Sequence, residues 1–335
     1  MAKEFNYTIC PVANASYIAD KQGFLKNRLE KIGYTPVKLQ TLTQEHWVEH
    51  FNYENDRLFR EGGNTPPIWA KSRGAETVLL GINPIPGQQA ILVRKDSDIK
   101  TIADLKGRKL GIPDKIKVTI DHQKSAALEG FENVLKLAGL KNEDAEWVFI
   151  KAETPDFPDA SMWSPKFGPD VEALDNGEAD AVFVKLSTSE RLLETGKYRK
   201  LINLIKDQDS VDPVNNEWPN VLTVSRKFAE EEPEAVVEYL RAVIAAARWA
   251  KDHKDEAEEL LAEQTLSTVE QYRRAYPEDF YARLEPNFSE EGLKSLQTRA
   301  QFLYDHGFAD KVVDVNEWAD KSFLERALSE PEKIR

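Results

Sequence analysis

Cys10 is the only cysteine among the 335 residues, and it is therefore the only thiol that could act as a nucleophile or an acid. It lies at the end of the strand-like run within MAKEFNYTICPV and precedes a helical run that begins near Asn14 or Ser16. The N-terminal end of a helix carries partial positive charge, which favours a reactive thiolate. Binding sites of open α/β sheets also lie at the carboxyl ends of strands. The sequence therefore favours a catalytic thiol, with a buried structural cysteine as the alternative.

Two histidines, His46 and His50, stand four residues apart in TQEHWVEHFNYE, which predicts a helix capped by Thr43. A histidine near a thiol can set its protonation state or carry its proton, and we predict this role for His50. The spacing would also suit a metal ion, but no HExxH pattern or acidic third ligand accompanies it. We therefore predict no metal site and expect His46 at the surface or in packing. For His50, a purely structural hydrogen-bonding role is the alternative.

Arg60 begins the run REGG and could supply local positive charge in a chain whose formal net charge is -13. Its planar guanidinium could hold an oxyanion by two parallel hydrogen bonds, whereas an ordinary surface arginine is the alternative. Gly62 and Gly63 lack a Cβ, so their backbone N–H groups could approach the same anion closely. We expect Glu61 to form a salt bridge outside the pocket.

Composition and the N-terminal residues limit the possible partners and location. The 58 acidic residues outnumber the 45 Lys and Arg residues, so nucleic acid is not an expected partner. The apolar run LRAVIAAARWA is interrupted by Arg241 and Arg248, and no membrane span is predicted. The run MAKEFNYTICPV lacks the apolar core of a secretory signal, and a single cysteine suits a reducing compartment. A cytoplasmic location is therefore expected.

The first elements of the chain can be predicted from their spacing. In the first strand, Phe5, Tyr7 and Ile9 share one face, which leaves Thr8 and Cys10 on the other. The run VANASYIADKQGFLKNRLEKIG predicts one helix of about six turns that closes at Gly33.

Strand-like and helical runs alternate along most of the chain, which predicts an α/β protein with mostly parallel sheets and helices on both faces. The length suits two domains. We predict lobe I from residues 1–94 and 222–335, carrying Cys10, His50 and Arg60, and lobe II from residues 95–221. A substrate cleft is expected between the lobes. From Glu232 onward the pattern is helical, so the C-terminal region should be helical.

Two blocks of sequence resemble a known fold. The runs VRKDSDIKTIADLKGRKLGIP and LDNGEADAVF are similar to those of the type II periplasmic-binding-protein fold found in sulfonate, nitrate and taurine importers. This resemblance implies a two-lobed architecture, but it does not imply a function.

A second resemblance concerns the first hundred residues. The motifs CPVANA, GFL, HFNY, REGG, PP and LLGINPIPGQQAILVRKDSDI resemble those of the aryl-sulfinate desulfinases, with weaker similarity at WAKDH and QFLYDHGF. That family uses a cysteine, a histidine and an arginine, and the matching positions are Cys10, His50 and Arg60. The resemblance also implies that Phe51 lines the aryl site. We add Asn14, Gly62 and Gly63, from the matched motifs, as substrate-binding residues.

The resemblance implies a desulfinase that cleaves the carbon–sulfur bond of an aryl sulfinate, such as 2'-hydroxybiphenyl-2-sulfinate, and releases sulfite. The expected enzyme is a cofactor-free hydrolase or lyase in which Cys10 is the acid or the nucleophile. Its expected partner is a small anionic organosulfur substrate, and a monomer is expected. The alternative is a non-catalytic solute-binding protein that delivers an organosulfonate-like anion to an ABC importer.

The chain departs from the desulfinase pattern in two segments. Residues 120–130 and 183–187 match segments that carry tryptophans in the family, but here they read IDHQKSAALEG and FVKLS. His122 and Lys185 would make this region more polar. We therefore expect a natural substrate that is smaller or more charged than a biphenyl.

Overall fold

The computed structural model describes residues 2–153, 167–205 and 218–329. The chain divides into two compact units. The first unit contains Met1–Ile85, Glu217–Gln264 and Asp279–Arg335, and the second contains Pro86–Asn216 and Thr265–Glu278. Within the described ranges, no helix combines the length and apolar character needed to cross a bilayer.

The first unit is built on a five-stranded sheet. Its strands are β1 (Lys3–Ile9), β2 (Tyr34–Lys38), β3 (Leu58–Gly62), β4 (Thr77–Asn83) and β10 (Asn220–Ser225). They lie in the order β2-β1-β3-β10-β4, and β10 runs antiparallel to both of its neighbours. The other strands share one direction, so the sheet is mostly parallel as predicted.

Alternation along the strands gives this sheet two different faces. Phe5 and Phe59 lie on one face, with ring centroids 5.1 Å apart, and Phe59 stacks on Tyr239 at 4.1 Å. All three rings are buried, and they form an aromatic core. Thr8 and Cys10 contact His50 on the opposite face. The predicted division of β1 into an apolar face and a polar face is therefore confirmed.

The helices of the first unit are α1 (Ala15–Lys21), α2 (Phe24–Lys31), α3 (Glu49–Asn52), α4 (Thr65–Ser72), α8 (Arg226–Glu231), α9 (Pro233–Asp252), α10 (Lys254–Gln264), α12 (Glu290–Asp305), α13 (Val315–Trp318) and α14 (Lys321–Ser329). The prediction of a single helix up to Gly33 is wrong, because Gly23 adopts a left-handed φ of 76° and separates α1 from α2. The helix predicted after Thr43 is also divided, into a 3₁₀ turn at Gln44–His46 and the short α3.

The second unit has a sheet of the same design. Its strands are β5 (Gln89–Arg94), β6 (Lys109–Lys115), β7 (Glu146–Ala152), β8 (Ala181–Lys185) and β9 (Tyr198–Asn203), in the order β7-β6-β8-β5-β9. Here β5 is the antiparallel strand. The helices are α5 (His122–Leu137), α6 (Pro169–Asn176), α7 (Leu186–Glu194) and α11 (Val269–Ala275). Together, the two sheets and the helical C-terminal region confirm the predicted fold class.

The units differ from the predicted lobes at their boundaries. The second unit begins at Pro86 rather than at residue 95, because β5 pairs with β8 and β9. The first unit resumes at residue 217 rather than at 222, since β10 begins at Asn220. Helix α11 was assigned to lobe I but lies in the second unit, where Arg274 Nε donates to Glu190 Oε2 of α7 over 2.9 Å.

Two motifs of the desulfinase resemblance, WAKDH and QFLYDHGF, mark the ends of helices. His253 stacks on Trp249 with ring centroids 4.4 Å apart, and its Nδ1 lies 2.8 Å from the Trp249 carbonyl oxygen. His306 repeats this arrangement on Phe302, at 3.9 Å and 2.9 Å. In both cases an aromatic residue and a histidine four positions later cover the last turn of a helix. These motifs therefore have a structural explanation.

Candidate active site

Cys10, His50 and Arg60, which are widely separated in the sequence, meet on one face of the first unit. His50 Nε2 lies 3.2 Å from Cys10 Sγ, and Arg60 Nη2 donates to the same sulfur over 3.3 Å. Arg60 Nη2 and His50 Nε2 are 3.4 Å apart. His50 and Arg60 are buried, whereas Cys10 is partly exposed. The three residues thus form a compact cluster in which Cys10 is the least buried member.

Main-chain contacts fix the position of Cys10 directly after β1. Its N–H donates to the carbonyl oxygen of Glu61 over 2.9 Å, which extends the parallel pairing of β1 with β3 by one residue. Its own carbonyl oxygen accepts from Gln264 Nε2 over 3.0 Å, at the end of α10. The thiol therefore stands at the carboxyl end of a strand, as the sequence predicted.

The orientation of the His50 ring is set from its other side. Thr8 Oγ1 lies 2.8 Å from His50 Nδ1 and accepts from Gln40 Nε2, also over 2.8 Å. With the Gln40 amide donating to this oxygen, the Thr8 hydroxyl is free to donate to Nδ1. In that assignment a neutral imidazole carries its proton on Nε2, where it faces the sulfur. The network therefore supports transfer of a proton between His50 and Cys10.

Arg60 is 1% exposed, and protein groups hold its guanidinium. Nε donates to the His50 carbonyl oxygen and Nη1 donates to the Gly63 carbonyl oxygen, each over 3.0 Å. Nη2 faces the thiol, so its positive charge stabilises negative charge on the sulfur. The structure thus shows Arg60 bound to the cluster, and its predicted contact with an anion stays a prediction.

Gly62 lies against the thiol. A Cβ added at Gly62 would be 2.0 Å from Cys10 Sγ and 2.7 Å from Cys10 Cβ, which is closer than atoms can approach. Any side chain at this position would therefore displace the sulfur. Gly62, the first glycine of REGG, thus leaves room for the thiol, and Gly63 contributes the carbonyl oxygen that accepts from Arg60.

Phe51 packs against the cluster, whereas Asn14 holds the turn that follows Cys10. The Phe51 ring is buried and meets the His50 ring edge to face, with centroids 5.0 Å apart. Asn14 caps α1, where Oδ1 accepts from Tyr17 N over 3.1 Å and Nδ2 donates to the Val12 carbonyl oxygen over 2.9 Å. These contacts shape the turn after Cys10. Contacts of either side chain with substrate stay a prediction.

The expectation that Glu61 forms a salt bridge outside the pocket is wrong. Glu61 is 0% exposed and accepts hydrogen bonds from the amides of Asn83 and Asn220. Its side chain lies on the opposite face of β3 from Arg60, because neighbouring residues of a strand alternate. His46 does lie at the surface as predicted, and its hydrogen bond with Glu49 raises its pKa.

Sequence reasoning did not assign roles to Thr8, Gln40 and Gln264. For Thr8 a signal was present, since it shares a strand face with Cys10 at a spacing of two residues. Gln40 and Gln264 carry no local signal, and Gln264 reaches the Cys10 carbonyl oxygen across 254 positions of the chain. Among the described residues, no group of three His, Cys, Asp or Glu side chains is arranged to hold a metal ion.

The two segments that depart from the desulfinase pattern meet at a cavity of the second unit. The cavity measures about 120 Å³, and Gln123, Phe183, Lys185 and Thr188 contribute to its wall. Asp170 also lines it, and burial raises the pKa of this carboxyl to about 6. The segments 120–130 and 183–187 therefore contribute two polar residues, Gln123 and Lys185, and two apolar ones, Phe183 and Val184, to the wall of this cavity.

The two sheets, each with one antiparallel strand, and the returning C-terminal helices define a type II periplasmic-binding-protein fold that carries a cysteine, histidine and arginine cluster. In sequence, the chain is similar to a sulfinate desulfinase. It is 29% identical to 2'-hydroxybiphenyl-2-sulfinate desulfinase of Rhodococcus erythropolis, over 96% of this chain and 93% of that protein. The crystal structure of a cysteine-to-serine variant of the desulfinase DszB, in complex with biphenyl-2-sulfinic acid, matches with a TM-score of 0.80 and 26% identity, covering 98% and 99% of the two chains.

More distant similarity links the chain to sulfonate-binding proteins. A putative aliphatic sulfonates-binding protein of Bacillus subtilis is 25% identical over 98% of this chain and 89% of that protein. The periplasmic aliphatic sulphonate-binding protein of Escherichia coli matches in structure with a TM-score of 0.67 and 19% identity, covering 96% and 93% of the two chains, which shows the shared fold alone. No protein-family model matches the chain.

Proposed function

We propose that this protein is a cysteine-dependent desulfinase that cleaves the carbon–sulfur bond of a sulfinate and releases sulfite. The observation that carries the proposal is the partly exposed Cys10, whose sulfur lies within 3.3 Å of both His50 Nε2 and Arg60 Nη2. A desulfinase matches the chain over nearly its full length at 29% identity, and the structure of DszB matches with a TM-score of 0.80, both higher than the values for the sulfonate-binding proteins described above. A binding protein has no evident need for a thiol coupled to an imidazole and a guanidinium.

The proposed reaction converts a sulfinate and water into the desulfinated product and bisulfite. In one route, the Cys10 thiol gives its proton to the carbon, and the electron pair of the carbon–sulfur bond stays on that carbon. The sulfur leaves as sulfur dioxide, which adds water to form bisulfite and releases a proton that restores the thiol. No electron acceptor is required, so we propose a cofactor-free reaction.

In a second route, the Cys10 thiolate attacks the sulfinate sulfur, the carbon takes a proton as the carbon–sulfur bond breaks, and water then releases sulfite from the cysteine. His50 Nε2 faces the sulfur, so in the first route it returns the released proton to the thiol, and in the second it supplies the proton to the carbon and recovers it from water. Arg60 stabilises the thiolate and the anionic substrate by its charge.

The Thr8 hydroxyl should be required for efficient turnover because it fixes the His50 ring. Thr8→Val keeps the shape of the side chain but removes the contact with Nδ1. We expect kcat to fall by about ten- to a hundredfold with little change in KM, since only proton transfer is impaired. Thr8→Ser retains the hydroxyl and is the matched control. Equal turnover in Thr8→Val and the wild type would show that this contact does not orient the base.

Smaller or more polar sulfinates should be better substrates than 2'-hydroxybiphenyl-2-sulfinate. Support comes from the polar groups of the second unit's cavity, where Lys185 and Gln123 occupy segments that carry tryptophans in the desulfinase family. The measurement is sulfite release from a panel of benzene-, alkyl- and biphenyl-sulfinates in direct competition. If the biphenyl compound has the highest kcat/KM of the panel, Gln123 and Lys185 do not select the substrate.

The sequence predictions of a cytoplasmic location and a monomer stay predictions. The alternative function, a binding protein for an organosulfonate-like anion, retains the support of the shared fold. It predicts binding of a sulfonate without chemical change, and a sulfite assay on the same ligands distinguishes the two functions.

A further inference from the structure

A buried polar cluster lies behind the thiol, on the face of the first sheet opposite to Arg60. It consists of Glu61 on β3, Asn83 at the end of β4 and Asn220 at the start of β10, and these side chains are at most 2% exposed. Both amides donate to the same carboxyl oxygen, Glu61 Oε1. Neither desulfinase route uses this carboxyl group.

This cluster contains buried acceptor atoms that lack a well-aligned hydrogen-bond donor. Among the described residues, Asn83 Oδ1 and Asn220 Oδ1 are buried acceptors without a donor, and Glu61 Oε2 has no partner at full hydrogen-bond geometry, although the hydroxyl and N–H of Ser16 lie close enough to lower the pKa of Glu61. Buried polar atoms are rarely left unsatisfied, and an unpaired buried carboxylate is costly. A proton on Glu61 would add one hydrogen-bond donor to the cluster, because a carboxylic acid donates from one oxygen while the other still accepts. The geometry therefore favours a neutral Glu61.

The charges around Glu61 agree with this assignment. The titratable groups on this face are Tyr239 of α9, together with Tyr7 of β1 and Asp20 of α1, which are hydrogen-bonded to each other. Burial raises the pKa of Tyr239, so it stays neutral, and Asp20 is an acid that pairs with Lys38. Burial is the largest influence on Glu61 and raises its pKa to about 7, while hydrogen bonds from Ser16 and Asn83 lower it and no cation contributes.

Glu61 is coupled to the thiol through the backbone. Its carbonyl oxygen accepts from the Cys10 N–H over 2.9 Å, and its two neighbours in β3, Arg60 and Gly62, both lie against the sulfur. Ionisation of Glu61 would draw water or a counter-charge into a packed core, which moves the end of β3. A displacement of this strand end would move Arg60, Gly62 and the carbonyl oxygen that holds the Cys10 N–H.

We propose that Glu61 is a positioning residue that holds Cys10 in its active geometry only while its own carboxyl group is protonated. Loss of that proton then lowers activity on the alkaline side, independently of the titration of the thiol and the imidazole. The activity readout of this proposal rests on the proposed desulfinase function, whereas the stability and alkylation readouts below do not.

The test compares the wild type with Glu61→Gln, which keeps the shape and supplies a donor that cannot ionise. Glu129→Gln, at a buried glutamate of α5 in the second unit, is the matched control. Below pH 7 we expect kcat of Glu61→Gln within about threefold of the wild type. Above pH 7, the kcat of the wild type should fall about tenfold per pH unit as Glu61 loses its proton, and the kcat of Glu61→Gln should not show this fall. Identical alkaline profiles, or a folded but inactive Glu61→Gln, would overturn the proposal.

Two readouts do not depend on turnover. The folded carboxyl keeps its proton to about pH 7, whereas the unfolded chain loses it near 4.5, so the folded state binds more protons between these values. The Tm of the wild type should therefore fall relative to that of Glu61→Gln as pH rises across this window. The rate of Cys10 alkylation by iodoacetamide should likewise lose its Glu61-linked pH dependence in the variant.

If no sulfinate is turned over but both differences appear, the desulfinase proposal fails and the Glu61 proposal stands. If sulfite is released and neither difference appears, only the Glu61 proposal fails.

If Glu61→Gln does not fold, the infrared spectrum of the protein with Asp121→Asn and Asp170→Asn, which remove two buried carboxyls whose pKa is also raised, decides the question. A carbonyl band of a protonated acid that disappears as pH rises through 7 supports the proposal. The absence of that band below pH 7 overturns it.

Discussion

Replacement of Cys10 by serine is expected to abolish sulfite release while sulfinate binding survives. Serine keeps the size and hydrogen-bonding capacity of the residue, but its hydroxyl is a far weaker acid than a thiol and provides no thiolate near neutral pH. The expected loss of kcat is about a thousandfold or more, because both proposed routes pass through the sulfur. Sulfite production and calorimetric affinity for the same sulfinate are measured side by side. The complex of a cysteine-to-serine variant of DszB with biphenyl-2-sulfinic acid shows that such a substitution is compatible with a bound sulfinate in a related protein.

Alkylation provides a control on the same atom. Because the chain has one cysteine, iodoacetamide should inactivate the wild type by reaction at Cys10 alone, and a bound sulfinate should protect it. A Cys10→Ser variant that releases sulfite at the wild-type rate would show that the cysteine is structural.

Replacement of Gly62 by alanine should have the second largest effect. The added Cβ would lie 2.0 Å from Cys10 Sγ, so the sulfur has to move away from His50 and Arg60. A displacement of about 1 Å at a reacting group can cost about a hundredfold in rate, and we expect kcat to fall by at least that factor. The alkylation rate of Cys10 should change as well, because the environment of the sulfur changes.

Gly81→Ala is the matched control for this substitution. Gly81 lies on β4 of the same sheet, and its added Cβ would meet the Pro286 side chain at 2.9 Å, away from the thiol. Both variants should lose stability, but only Gly62→Ala should lose turnover out of proportion to the fraction that is folded. Equal specific activity of the folded variants would contradict the account of Gly62.

Local patterns predicted the parts of the structure that depend on neighbouring residues. Alternation in KEFNYTI placed Thr8 and Cys10 on the face that contacts His50. The same rule, applied to REGG, would have placed Glu61 opposite to Arg60 and beside the buried Phe59, but the charge of Glu61 suggested an exposed position. Burial of this carboxyl depends on Asn83 and Asn220, which come from two other strands.

Other features depend on distant pairings that no local pattern encodes. The runs ETVLLGI and QQAILVRK are joined by the turn-like NPIPG, which reads as a connection within one sheet. The two strands in fact lie in different sheets, since β5 pairs with β8 and β9. The run VANASYIADKQGFLKNRLEKIG predicted one helix, but the left-handed φ of Gly23 separates α1 from α2. The contact of Gln264 with Cys10 likewise exists only in the folded chain.

The chemistry at Cys10 is tested most directly by the products of a single sulfinate. The purified wild-type protein is incubated with benzenesulfinate in deuterated water, and sulfite, benzene and residual sulfinate are quantified together. The account predicts sulfite and benzene in equal amounts, with one deuterium on the carbon that carried the sulfur, and no such products from Cys10→Ser. Binding of benzenesulfinate, and of every other sulfinate in the panel, without release of sulfite would contradict it and would favour the solute-binding function.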